Sequence, residues 1–286
     1  MNQPDIQWVL AEGSHPALLA SRADGRGRAF IWGHTLMGSM AQEDTMGVFG
    51  WQGCVDIARI IRYDARGHGR SESAGAAVDY AWPGLARDMW QVANCHAGNR
   101  AKVILGGASM GCATALHAAC QHPDRVRGLV LVLPPTAYAD RKKTARVYQM
   151  SASLVALTRG LPLKLLRWLP PAPGADLRTR MERASGRLLA DASPCGISNA
   201  LRGAALSDLP PPELLARLTM PTLVLAWPDD AVHPLANAIA LATTLPHAEL
   251  HVSGSAQDPE RWPHTVRRFL MSLNQADQDW TNVPLD

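Results

Sequence analysis

Charged side chains are scarce in this 286-residue chain: Asp, Glu, Lys and Arg make up 19% of it, and the net charge is only +3. With so small an excess, and no basic stretch interleaved with aromatics, the sequence excludes nucleic acid as a partner. Cysteine is scarce too. The five present, Cys54, Cys95, Cys112, Cys120 and Cys195, are odd in number and form no CxxC or zinc-like spacing, so neither a disulfide framework nor a zinc centre is indicated. They read as small buried hydrophobes in a reducing compartment. Residues 1–10 carry Asp5 and no basic segment leading into an apolar core, which argues against a signal peptide. No apolar run approaches the roughly 20 residues of a membrane span, and no internal repeat shows. These absences predict a soluble cytoplasmic protein with no membrane partner; they leave the oligomeric state open.

What the chain does have is an aliphatic-rich composition, 47% hydrophobic, enough at this length for one α/β core with a lobe inserted into it. Strands are predicted over residues 6–10, 16–22, 29–33, 59–64, 103–105 and 126–133, with helices within 46–58, over 79–95 and over 112–120. After a break, strands at 220–226 and 248–252 alternate with helices at 235–244 and 263–273, and a polar tail from Asn274 is expected to fray. Such alternation predicts a mostly parallel central sheet covered by helices on both faces, with ligands at the carboxyl ends of the strands.

Between residues 137 and 212 the alternation stops, and helix-compatible segments are broken at Gly160, Pro170–Gly174, Ser193-Pro194 and Pro210–Pro212. The chain therefore divides into a core of residues 1–136 and 213–286 and an inserted helical cap of residues 137–212. The cap holds twelve Lys or Arg against five Asp or Glu. That excess suits a lid that attracts an anionic substrate, although a solvated face of surface helices is the commoner meaning.

One stretch carries chemistry. Leu105-Gly106-Gly107-Ala108-Ser109-Met110-Gly111 turns from an apolar strand into an Ala-rich helix, and Gly-X-Ser-X-Gly in that setting is a nucleophile elbow. The turn is so tight that only small residues fit two places either side of the serine, whose hydroxyl stands at the rim of the sheet.

With this elbow, the loop Gly33–Ser39, the phrase Tyr63-Asp64-Ala65-Arg66-Gly67-His68-Gly69-Arg70-Ser71 and the segment Pro221–Pro234 in the same order, the chain resembles the α/β-hydrolase family over nearly its whole length. The resemblance implies the α/β-hydrolase fold and a Ser nucleophile, Ser109. It places the acid at Asp230, four residues before Pro234, with Asp229 as the neighbour most easily confused with it. Oxyanion donors are implied at the backbone amides of Met110 and Leu36, because the family's His-Gly-X phrase aligns with His34-Thr35-Leu36. Thr35 in place of glycine is a departure. His34 and Trp227 are the candidate substrate contacts, and His68 is a loop-shaping residue.

The family's histidine is missing. Where Gly-His is expected after the last strand, this chain reads Gly254-Ser255, and a serine cannot act as a general base near neutral pH. His233 is the leading replacement, since it lies three residues beyond Asp230 on the same loop. His264, in the final helix, and His251, in the last strand, stay open as alternatives, as does a broken triad.

The reading that follows is a serine hydrolase, needing no metal or cofactor, that acts on a small ester, lactone or related carbonyl substrate. Two rivals differ in class. One is a non-hydrolytic enzyme that uses the pocket for cyclisation, elimination or carbon-carbon cleavage. The other is a binding protein that holds a ligand without turning it over.

Overall fold

The computed structural model describes residues 5–47, 49, 51–168, 192–254 and 261–281. Strands β1 (Gln7–Ala11), β2 (Ala17–Asp24) and β3 (Arg28–Gly33) are followed by α1 (Met40–Met46), β4 (Ala58–Tyr63), α2 (Trp82–Ala97), β5 (Val103–Ala108), α3 (Met110–Gln121) and β6 (Val126–Val132). Helices α4 (Arg141–Thr158), α5 (Leu161–Lys164), α6 (Pro194–Ala205) and α7 (Pro212–Leu215) intervene before β7 (Thr222–Ala226), α8 (Leu235–Thr244), β8 (Ala248–Val252) and α9 (Trp262–Thr281).

The strands form one eight-stranded sheet in the order β1-β2-β4-β3-β5-β6-β7-β8. The pairs β1–β2 and β2–β4 are antiparallel, and every later pair is parallel. Successive side chains on a strand point to opposite faces, and the apolar residues sort accordingly. Ile31, Ile61, Leu105, Leu131 and Val224 pack with α2, α3 and α8 on one face. Trp32, Ile60, Ile104, Val130 and Leu225 pack with Phe49, Trp51 and α9 on the other. Both faces of the parallel strands are therefore buried, which is why these strands read as continuous apolar runs rather than as alternating ones.

Two elements differ from expectation. The helix predicted within 46–58 lies earlier, at Met40–Met46, and residues 52–54 make only a single 3-10 turn. Cap chemistry sets its ends: the Ser39 side chain accepts from the Gln42 amide, and Gly47 closes the helix in the left-handed region at φ 68°. Helix α9 continues past Leu273 to Thr281. That polar stretch has no apolar period, the signal on which the prediction relied.

Between β6 and β7 the described residues hold helices and no strand. Ala152 and Val155 of α4 pack against Ile197 and Leu201 of α6. The predicted break at Pro170–Gly174 lies outside the described residues. Among the described residues, no helix is long and apolar enough to cross a membrane.

Candidate active site

Strands β3, β5 and β7 deliver their following loops to one end of the sheet, and the candidate residues sit in those loops. Ser109 joins β5 to α3 with φ 54° and ψ −107°, and its amide donates to Val132 O at 2.9 Å. A non-glycine residue at positive φ is strained by roughly 1–3 kcal/mol, and close packing of backbone around the turn holds it there. A Cβ on Gly107 would lie 2.3 Å from the Gly111 carbonyl carbon, and one on Gly111 would lie 2.0 Å from Gly33 O. The glycines thus let α3 press against β3 while Ser109, 8% exposed, stands at the turn.

The β3 loop is tied to the elbow by the Gly111 amide, which donates to His34 O at 3.1 Å. Gly38 N then donates to Thr35 O at 2.8 Å, closing a turn whose left-handed position is Met37, φ 62°. Thr35 is not the strained residue, so a side chain there is accommodated. The Leu36 amide, at the first central position of this turn, and the Met110 amide, at the first position of α3, belong to two segments held together by the Gly111–His34 bond. The Met110 amide opens α3, and the first amides of a helix have no carbonyl partner within it.

His34 itself is 1% exposed. Its Nε2 accepts from the Ala65 amide at 2.9 Å, so Nδ1 carries the proton and donates to Thr35 O at 2.7 Å. Both nitrogens are engaged within the chain, and His34 therefore holds the loop rather than offering a free group to a substrate. Burial pushes its pKa down to about 4. The neighbouring His68 ring, 5.0 Å away centroid to centroid, is pushed down to about 3, again by burial and secondarily by His34.

These shifts set a pH dependence. A histidine whose folded pKa is depressed contributes stability that is complete above its unfolded value, about 6.5. That contribution is lost as pH falls through the folded value. Melting temperature should therefore drop between pH 6.5 and pH 4, and His68→Phe, which removes one titrating ring, should flatten that drop. An unchanged profile would assign the acid sensitivity to other groups.

The loop after β7 builds the rest. Asp230 Oδ1 accepts from the amides of Val232 at 2.8 Å and His233 at 3.1 Å, an Asx-type turn that fixes the carboxylate. Its Oδ2 accepts from Trp227 Nε1 and from His233 Nδ1, both at 2.9 Å. Burial alone would raise the Asp230 pKa, but the His233 ring, Trp227 and the His233 amide together hold it well below the usual carboxylate range. The carboxylate only accepts, so the His233 proton sits on Nδ1, and Nε2 is left as the acceptor 2.8 Å from Ser109 Oγ. The structure thus brings Ser109, His233 and Asp230 into one hydrogen-bonded line. Such a line can withdraw the hydroxyl proton as the oxygen attacks an electrophile.

His251 lies within β8, its Cα paired with Leu225, and His264 lies in α9. Among the described residues, the Ser109 hydroxyl is met by His233 and by neither of these. Ser255 falls outside the described residues.

Trp227 stands behind the acid. It is 4% exposed, its ring is stacked on Trp262 at 5.2 Å and 14°, and Trp262 is stacked in turn on Phe49 and donates to Ser253 Oγ. The sequence makes it a candidate substrate contact; the structure aims its N–H at Asp230 instead. A tryptophan directly after β7 was the available signal, but the sequence does not show where its indole points. Trp227→Phe keeps a ring on Trp262 and removes one of four donors to the carboxylate. We expect kcat to fall about tenfold with KM unchanged. A change in KM alone would return Trp227 to the substrate side.

A sequence model of the family described as alpha/beta hydrolase fold matches residues 52–258. RutD of Variovorax paradoxus, named as a carbamate hydrolase, is 32% identical over 197 residues, which are 68% of this chain and 71% of that protein. The 3-oxoadipate enol-lactonase 2 of Acinetobacter baylyi is 26% identical over 224 residues, 75% of this chain and 79% of its own. The solved structure of a thermophilic esterase from Thermogutta terrifontis is similar with a TM-score of 0.69 at 24% identity, covering 94% of this chain and 99% of that one.

Proposed function

This chain belongs to the α/β-hydrolase fold family, and from that premise we propose that it is a cytoplasmic serine hydrolase cleaving a small ester, lactone or related carbonyl substrate beneath a helical cap of residues 137–212. One observation carries the reading: His233 Nε2 lies 2.8 Å from Ser109 Oγ while Nδ1 of the same ring lies 2.9 Å from Asp230. The names of the relatives, a carbamate hydrolase and an enol-lactonase, support a carbonyl bonded to a heteroatom leaving group as the substrate class.

In this mechanism Ser109 Oγ bonds to the substrate carbonyl carbon as its proton passes to His233 Nε2. The carbonyl oxygen becomes an oxyanion and accepts from the amides of Leu36 and Met110. Collapse of the tetrahedral species breaks the bond to the leaving oxygen, which takes the proton back from His233 Nε2. Water then gives a proton to the same nitrogen as it attacks the acyl carbon, and collapse releases the carboxylic acid and restores the Ser109 hydroxyl. Asp230, ionised throughout by its four donors, balances the imidazolium formed in each half.

Labelling with a fluorophosphonate tests the central claim. The intact protein should be labelled and Ser109→Ala should not. A folded protein that takes no label would remove the activated serine and favour a non-hydrolytic enzyme or a ligand-binding protein on the same fold.

A further inference from the structure

Helix α4 is apolar on two sides, and among the described residues only one of them packs against another helix. Ala152 and Val155 face α6, where Ser198 Oγ also donates to Ala152 O at 3.1 Å. On the outer side Val147, Met150, Leu154 and Leu157 follow one another at helical spacings of three and four residues, and all are exposed, Met150 by 73% and Leu157 by 84%. The stripe continues past the helix in Leu161, Leu165 and Trp168, the last 79% exposed. A surface helix of a globular protein ordinarily turns charged residues outward, and a contiguous exposed apolar patch marks an interaction surface.

The charges around the stripe indicate the partner. Lys142, Lys143, Arg146, Arg159 and Lys164 are exposed on the same segment, and the sequence has no Asp or Glu between Asp140 and Asp176. A second copy seated on this face would bring two such cationic collars together with no carboxylate from this segment to meet them. An anionic surface with an apolar interior would satisfy both features.

We propose that α4 and the turn after it dock on an anionic lipid surface, with the helix lying in the interfacial plane. Met150, Leu154, Leu157 and Trp168 enter the acyl boundary, and the lysines and arginines beside them meet headgroup phosphates. The lack of a spanning segment does not bear on this surface, since an interfacial helix needs no span.

Sedimentation of the full-length protein with phosphatidylcholine vesicles, with and without phosphatidylglycerol, tests this. Binding should appear only with phosphatidylglycerol and should weaken as salt is added. The double variant Met150→Glu, Leu157→Glu should bind at least ~10-fold more weakly, with an unchanged melting temperature because both side chains face solvent. Lys142→Glu with Lys143→Glu should weaken binding similarly, while Ser109→Ala should bind as the wild type does, which separates this result from the fate of the serine chemistry. The proposal is overturned if the wild type ignores phosphatidylglycerol vesicles, or if the Met150, Leu157 double variant binds them equally well. It is also overturned if sedimentation equilibrium shows a dimer that the same variant dissociates and no vesicle binding accompanies it.

Discussion

His233→Ala should lower kcat/KM for ester cleavage by about 10^4-fold, while His251→Ala and His264→Ala should leave it nearly unchanged. The size follows from what the ring does in the line of contacts. Without an acceptor 2.8 Å away, the Ser109 hydroxyl must lose its proton to water, for which it is far too weak an acid near neutral pH. Asp230 does not compensate, because its oxygens are turned to the Val232 amide, the His233 position and Trp227 rather than to Ser109. Asp230→Asn should cost a similar factor for another reason. A carboxamide can donate to Nδ1, which favours the tautomer whose proton sits on Nε2 and faces the serine. Steady-state kinetics on a 4-nitrophenyl ester, with fluorophosphonate labelling of each variant, measure both effects. Full turnover in His233→Ala together with a collapse in His264→Ala or His251→Ala would move the base to that other histidine.

Gly111→Ala should cost roughly 3 kcal/mol or more of stability, a fall in melting temperature of about 6–12 °C for a chain of this size. An added Cβ would stand 2.0 Å from the Gly33 carbonyl oxygen and 2.4 Å from its carbon. Both are backbone atoms of a central strand, so relief requires α3 to move away from β3. That movement stretches the Gly111–His34 bond joining the two loops that carry the Leu36 and Met110 amides. Activity should therefore fall even at temperatures where the variant stays folded. Gly53→Ala is the control, because nothing lies within 4 Å of a Cβ at that position, and it should shift stability by less than about 0.5 kcal/mol. Equal melting curves for the two variants would mean that the approach of α3 to β3 is not the tight contact described.

The elbow was legible in the sequence because everything that defines it is local: apolar strand, small residues, serine, helix. The sheet was legible for a related reason, since strands buried on both faces leave apolar runs that need no knowledge of their neighbours. His233 could be singled out because it shares a short loop with Asp230, so proximity in the chain stood in for proximity in space. Trp227 shows where this stops. Its indole is aimed by a stack on Trp262, which lies beyond β8 in α9, and no local pattern encodes that contact. His34 is a second case, because its second nitrogen is occupied by the Ala65 amide from the loop after a different strand. The antiparallel pairing of β2 with β4, and the place of β3 between β4 and β5, likewise depend on how distant segments meet. Helix α1 was legible in principle: Ser39 and Gly47 mark both ends, but its few apolar residues gave the periodic signal too little length.

The family resemblance implies an acid and a base delivered by different loops, so that three pieces of chain must be aligned. Here Asp230 and His233 are joined by two intervening residues and two mutual hydrogen bonds, and the alignment involves two pieces. A displacement of the loop after β7 carries both groups together. Their own contact survives it, while the distance from His233 Nε2 to Ser109 Oγ changes. Working and idle arrangements of this site would then differ in that distance and not in the pairing of acid with base.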